Sequence, residues 1–274
     1  MKFVSLFRRF FPDCPPAARA LGLLREHGDI AKRHAKVRGA WASHLAASQA
    51  AILEAADRVA ARRSVLVVGA GDCLDVPVAE LAERFQRVVL ADIVVGAGAR
   101  AWTKKFAGRV ECVAWDASGA LAAVAARRDR LTAAEAPKVF AQADPGPPPG
   151  GEPDFIVSAN CISQLGLVPG HSLPAARQDT DLPERCGRAA AKRHVQWLEA
   201  RSGARLLLGD VARLNIAEDG RELKRENLAS RYGLPRPDKF WRWDLAPIPE
   251  WSPEFHRVHE VGAWFFAARP AGAK

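Results

Sequence analysis

Ser64-Val65-Leu66-Val67-Val68-Gly69-Ala70-Gly71-Asp72 runs from four consecutive apolar residues into two glycines and an acid. A short apolar run with no polar alternation is what a strand buried on both faces requires. The glycines that end it allow backbone dihedrals and a close approach that a side chain forbids. Strand and tight turn are therefore expected, and Asp75 to Phe85 continues with helical periodicity. The unit recurs downstream. Arg87-Val88-Val89-Leu90-Ala91-Asp92 is a second strand ending in an acid, and Val110 to Asp116 is a third that ends in one too. Asp154-Phe155-Ile156-Val157-Ser158 is a fourth, and Ala204 to Leu208 a fifth, ending at Gly209-Asp210. An alanine-rich helix is expected from about Leu121 to Gln142 and another from about Glu184 to Arg201. This alternation implies an α/β fold, a mostly parallel sheet with helices on both faces. Two late strand candidates, Phe240-Trp241-Arg242-Trp243 and Arg257 to Ala267, lack an obvious crossover helix between them. A final antiparallel hairpin is expected there.

Upstream of the first strand, Pro15 to Arg63 reads as helix, with Leu45, Ile52, Leu53, Ala56 and Val59 at roughly helical spacing. The expected organisation is an N-terminal helical lid and substrate segment over residues 1–60. An α/β domain over 61–274 follows, with an insertion around 211–254. No internal repeat is evident.

The composition, 49% hydrophobic and 26% charged over 274 residues, is that of an ordinary soluble chain. No apolar run is long enough to span a bilayer. The apolar start is broken by Arg8 and Arg9, which argues against a secretory leader and for a cytoplasmic protein. The amphipathic stretch Phe3 to Phe11 reads as a cap over the core in preference to a membrane-surface contact. Cys14, Cys73, Cys112, Cys161 and Cys186 stand far apart, with no zinc-site spacing, so reduced thiols and no metal are expected. The net charge of +9 is uneven: Met1 to Arg63 carries 12 Lys and Arg against 5 Asp and Glu. A basic segment of this kind serves either as a solvated helix face or as an attraction for nucleic acid or another anion.

In such sheets ligands bind beyond the carboxyl ends of the strands, where the strand order reverses. Gly69 and Gly71 follow the first strand, and Asp92, 21 residues after Gly71, ends the second. A carboxylate there can accept hydrogen bonds from both hydroxyls of a ribose. The alternative is that Asp92 caps the following turn. If it serves only the ligand, its replacement leaves the fold intact. Asp116 ends the third strand, suitably placed to accept from an adenine amino group, and Asn160 follows the fourth. A dinucleotide fingerprint wants a third glycine where Leu74 stands. Asp72 and Asp75 crowd the helix start and would repel a pyrophosphate. A cofactor carrying an ammonium and a sulfonium tolerates them.

These residues resemble the class I S-adenosylmethionine-dependent methyltransferases. The resemblance rests on Val65 to Asp72, on Val89-Leu90-Ala91-Asp92-Ile93, and on Val113-Ala114-Trp115-Asp116-Ala117. It continues through Asp154 to Asn160 and the closing His259-Glu260-Val261-Gly262-Ala263-Trp264-Phe265. It implies a Rossmann-like, seven-stranded sheet with its last strand antiparallel, and S-adenosylmethionine as cofactor. Gly69, Ala70, Gly71 and Asp72 would contact the amino-acid end, Asp92 and Ile93 the ribose, Asp116 and Ala117 the adenine region. Asn160 would face the same cleft. The chain departs from the family at Val67, where many members carry an acid, and Asp72 is the candidate substitute. The expected activity is methyl transfer to a small molecule. RNA methylation through the basic N-terminal segment, and cofactor binding without catalysis, are the alternatives. Arg38, Trp41 and His44 on the N-terminal helix, His171 after the fourth strand, and Trp241 with Trp243 and Trp251 are the candidate substrate residues. No residue identifies itself as a general base.

Overall fold

In the computed structural model, which describes residues 12–269, β1 (Ser64–Val68) stands at the centre of the sheet. The stretch Phe3 to Phe11 lies outside the described residues. β1 pairs in parallel with β2 (Arg87–Asp92) on one side and β4 (Phe155–Ala159) on the other. The order is β3-β2-β1-β4-β5-β8-β7, with β3 at Val110–Ala114, β5 at Ala204–Ile216, β7 at Lys239–Ala246 and β8 at His256–Phe266. β1 to β5 are parallel, and β8 runs antiparallel to both β5 and β7. This is the Rossmann-like α/β fold with its last strand antiparallel.

The unbroken apolar runs follow from period-two geometry in a sheet covered twice. Val65 and Val67 of β1 pack on one face with Val88, Leu90, Phe155 and Val157. Leu66 and Val68 pack on the other with Val89, Ala91 and Ile156. The sheet has eight strands where seven were expected. β6 (Glu222–Asn227) pairs with the extended end of β5. Its sequence, Glu-Leu-Lys-Arg-Glu-Asn, is almost wholly polar and exposed, so no hydrophobic pattern announces it. Charged side chains blunt such an edge, and Arg225 pairs here with Glu260 on β8 at 2.9 Å.

The helix expected over Leu121–Gln142 is two helices, α5 (Leu121–Arg127) and α6 (Ala136–Gln142). Thr132 and Glu135 make a capping box, each accepting the other's backbone N–H. Pro137 then sits in the first turn. That signature outweighs the alanine content that suggested continuity.

After the short α1 (Pro16–Ala20), α2 (Leu23–Asp57) spans 35 residues and bends at Val37, whose backbone is non-helical. Within α2, two helical segments thus run end to end, meeting at the Val37 kink. Trp41, His44, Ser48, Ala51, Ile52 and Ala55 form its buried face, spaced by threes and fours as a helix stripe requires. Its last turns join the core beside β1, while Trp41 Nε1 donates to the Leu245 carbonyl of β7 at 2.8 Å. The helix thus crosses the carboxyl edge of the sheet. The remaining helices are α3 (Val78–Arg84), α4 (Ala97–Lys105), α7 (Leu167–His171), α8 (Leu182–Glu199) and α9 (Ala229–Tyr232). No helix among the described residues is long and apolar enough to cross a membrane.

Candidate functional site

The strand order reverses between β1 and β4, and both strand ends there use the left-handed backbone region. Gly69 has φ +77°, Gly71 +50° and Asn160 +49°. Such values cost an ordinary residue energy and are tolerated by Gly and Asn. At Gly69 the constraint is also steric: a Cβ would stand 2.8 Å from the Ala159 carbonyl oxygen and 2.6 Å from Cys161 Cβ. At Gly71 a Cβ would meet nothing within 4 Å. Ala70 is buried between them.

Asp92 reaches back from the end of β2 to this loop. Its Oδ2 accepts the Gly71 N–H at 2.8 Å, and its Oδ1 accepts the Val94 N–H at 3.0 Å. The carboxylate thus shapes the two loops around it, as the turn-capping alternative has it. Burial pushes it above the ordinary carboxylate range, against those backbone hydrogen bonds. Ile93 beside it packs on an apolar cluster that joins Ala18 and Leu21 to Leu121, Phe140 and Leu182.

Asp116 is more fully committed. Its Oδ1 accepts the Ser118 N–H and hydroxyl at 2.9 and 2.6 Å, and its Oδ2 accepts the Leu121 N–H at 2.9 Å. The carboxylate builds the turn that starts α5, and Ala117 is buried within that turn. Val67 is fully buried in the sheet, where an unpaired acid would be costly.

Asn160 donates through Nδ2 to Asp75 Oδ2 at 2.6 Å and, more weakly, to Ser48 of α2 at 3.5 Å. Its Oδ1 is buried with no partner among the described residues. Burial pushes Asp75 up, against the Asn160 hydrogen bond.

Asp72 latches three elements together. Its Oδ1 accepts the Gly98 N–H of α4 at 2.9 Å, and its Oδ2 lies 3.3 Å from His27 Nε2 of α2. Their hydrogen bond raises the His27 imidazole above its usual value and lowers Asp72. A raised imidazole contributes stability that is fully present below its unfolded pKa, about 6.5, and is lost as pH rises through the folded value. A depressed carboxylate contributes above its unfolded value, about 3.9, and loses its contribution as pH falls through the folded value. The latch is therefore strongest between about pH 4 and 6.5. The melting-temperature gap between wild type and His27→Gln is expected to be widest near pH 6 and to narrow by pH 8.5. A gap flat across that range in thermal denaturation would show that the pair carries no charge-dependent stability.

The expected substrate residues divide. Trp241 Nε1 donates to His44 Nδ1 at 3.0 Å, and His44 stacks on Trp243 with centroids 4.0 Å apart. Trp41 meets Trp243 edge-on at 4.9 Å. These four make one aromatic block under α2. Trp251 is not part of it: it is 52% exposed, between Arg33 and Arg257. Arg38 is exposed on the outer face of α2. His171 lines a separate cleft of about 680 Å³ with Arg19, Arg25, Arg128 and Arg177.

A second buried polar pair stands beside the block. On β5, Asp210 Oδ1 lies 2.9 Å from His259 Nδ1 of β8, with the residues 7% and 8% exposed. Sequence reasoning passed over this pair, along with His27, Ser48 and Asp75 as site residues. Asp210 carried the same signal as Asp92, an acid at a strand end, but its partner is 49 residues away.

No protein-family model matches the chain, and comparison with curated proteins gives no match. Solved structures give low-identity likenesses. One is 1,6-didemethyltoxoflavin-N1-methyltransferase of Burkholderia thailandensis, solved with 1,6-didemethyltoxoflavin and S-adenosylhomocysteine. It is 18% identical over 92% of each chain, with TM-score 0.38. An O-methyltransferase family protein of the same organism is 14% identical over 84% of this chain and 58% of that one, TM-score 0.36. A Leishmania major S-adenosylmethionine-dependent methyltransferase is 14% identical over 80% and 72%, TM-score 0.36. All three TM-scores are low, and the fold stands on the strand order and register above. That order, with the glycine turn after β1, defines a Rossmann-like fold with an antiparallel last strand.

Proposed function

We propose that this chain binds S-adenosylmethionine at the switch between β1 and β4 and transfers its methyl group to a small-molecule acceptor. The observation that carries the proposal is the joint placement of Gly71, Asp92 and Asn160 at one crevice. The residues fit that cofactor. Asn160 Oδ1 is a buried acceptor without a partner among the described residues, suited to an ammonium group. Each Asp92 oxygen is drawn on by one backbone N–H, which leaves lone pairs for ribose hydroxyls. The loop at Gly71 has room on its open side.

Bound there, the cofactor would supply a methyl group on a sulfonium that is already a good leaving group. The chain's own residues then have three tasks: to hold the cofactor, to align the acceptor and to keep water out. α2 suits the last two, since its buried face covers the crevice at Ser48 and meets the aromatic block at Trp41 and His44. A helix lying across the carboxyl edge favours a small acceptor over a polymer.

Thermal denaturation with each cofactor class tests the reading. A ligand at 100 times its Kd stabilises by about 2.7 kcal/mol. For a chain of this size that is a rise in Tm of roughly 5–10 °C. S-adenosylmethionine and S-adenosylhomocysteine are expected to produce such a rise and NAD none. A larger rise with NAD overturns the proposal.

A further inference from the structure

Asp210 and His259 are set by an irregularity of the sheet. The β5–β8 register shifts between Asp210 and Ala212, leaving Val211 as an extra residue. Bulges of this kind re-aim side chains and gather near active sites. Here the bulge lies at the carboxyl edge, because β4 ends at Ala159, opposite Leu208, two residues before Asp210. The Asn160 N–H also donates to the Leu208 carbonyl at 3.1 Å, so the loop that carries Asn160 is tied to the strand that carries Asp210. α2 bridges the same two places. Ser48 meets Asn160, and His44, four residues earlier, belongs to the block beside His259. Four residues along a helix is about 6 Å, the length of a small acceptor.

The hydrogen bonds assign the tautomers. Burial alone would push Asp210 up, but its pairing with His259, a hydrogen bond from Ser163 and the Arg213 charge outweigh it and hold the carboxyl below its usual range. An ionised carboxylate only accepts, so His259 Nδ1 carries the proton. In the neutral imidazole, Nε2 then carries the lone pair of the ring. His44 is arranged the opposite way. Burial lowers it to about 4, so it is neutral. Its Nδ1 lone pair is spent on the Trp241 N–H, so its proton sits on Nε2. One histidine is left as an acceptor and the other as a donor.

Resting on the methyltransferase reading, we propose that His259 is the general base of this site, with Asp210 positioning it. The acceptor is then a small molecule whose nucleophile is protic, a hydroxyl or a ring N–H. As its oxygen or nitrogen bonds to the methyl carbon, the carbon–sulfur bond breaks and its electron pair stays on sulfur. The sulfonium becomes a neutral thioether. The acceptor's proton passes to His259 Nε2, and the imidazolium formed is stabilised by Asp210. An acceptor whose nucleophile bears no proton to lose has no use for this pair.

The test uses the full chain labelled with nitrogen-15 and long-range proton–nitrogen correlation spectra of the histidine rings near pH 7.5. The His259 signals are assigned by their loss in His259→Asn. Expected are a protonated Nδ1, a bare Nε2, loss of that tautomer preference in Asp210→Asn, and movement of the Nε2 resonance on saturation with S-adenosylhomocysteine. A protonated Nε2, or an Nε2 signal unmoved while calorimetry shows the cofactor product bound, overturns the base assignment alone. Absence of any S-adenosylhomocysteine binding overturns the methyltransferase reading, and the base falls with it. For whichever of 4-nitrophenol, catechol and benzimidazole supports turnover, His259→Asn is expected to lower kcat by about 10²- to 10⁴-fold at unchanged cofactor affinity. Equal turnover overturns the assignment.

Discussion

Asp92→Ala is expected to weaken S-adenosylhomocysteine binding by about tenfold to a few hundredfold and to destabilise the fold as well. The affinity estimate rests on two charge-assisted hydrogen bonds to a ribose, roughly 1.5–3 kcal/mol each and incompletely additive, on a scale of about 1.4 kcal/mol per decade. The stability loss comes from the two donors that Asp92 already serves, the N–H groups of Gly71 and Val94. Stripped of a partner, a buried donor costs about 1–3 kcal/mol. Water entering the truncated site repays part of that, so a loss of about 1–3 kcal/mol in all is expected. Asp92→Asn should recover only part of it, because its NH₂ group must face one of the two N–H donors. Calorimetry and urea unfolding on the same samples read the two effects separately. Unchanged affinity places the cofactor elsewhere. Unchanged stability shows that the two loops hold their shape without the carboxylate.

Gly69→Ala is expected to be the most damaging single substitution in the glycine turn. The added Cβ meets a strand carbonyl, which the β4–β5 register holds in place. Left-handed backbone costs an alanine about 1–2 kcal/mol, and forcing volume into a packed site adds about 1–3 kcal/mol. A loss of about 2–5 kcal/mol is a large share of a domain's total stability of about 5–15 kcal/mol. Gly71→Ala carries only the backbone penalty, about 1–2 kcal/mol, since its Cβ has open space. Its larger effect falls on cofactor binding, because that space borders the Asp92 carboxylate. Denaturant unfolding should rank the two variants in that order, and calorimetry should show Gly71→Ala as a folded protein with weakened affinity. The reverse ranking would mean that the turn's two glycines have been assigned the wrong roles.

Much of the candidate site was legible because strand ends are local events. An apolar run followed by glycine or an acid is visible without knowing what lies alongside it, and the Gly69–Gly71 turn, Asp92 and Asn160 all announce themselves this way. The same locality misled where two local signals competed. Alanine content spoke for a helix through Leu121–Gln142, while Thr132, Glu135 and Pro137 spoke for a fresh start, and the capping box prevailed. β6 offered no signal, because a strand that buries neither face has no hydrophobic pattern to display.

The amino-acid sequence by itself determined the sheet's parallel core, its strand ends and the glycines, acids and Asn160 that stand there. Those depend on burial, periodicity and backbone freedom, which each segment expresses alone. Only the tertiary structure decided what the polar residues do. Asp116 is spent on its own turn, Asp72 on His27, and Asp92 is shared between two loops. Asp210 and His259 become a pair because two antiparallel strands and a bulge bring them to 2.9 Å across 49 residues. A carboxylate's role is set by which donors surround it, and for residues distant in the chain those donors exist only once the chain has folded.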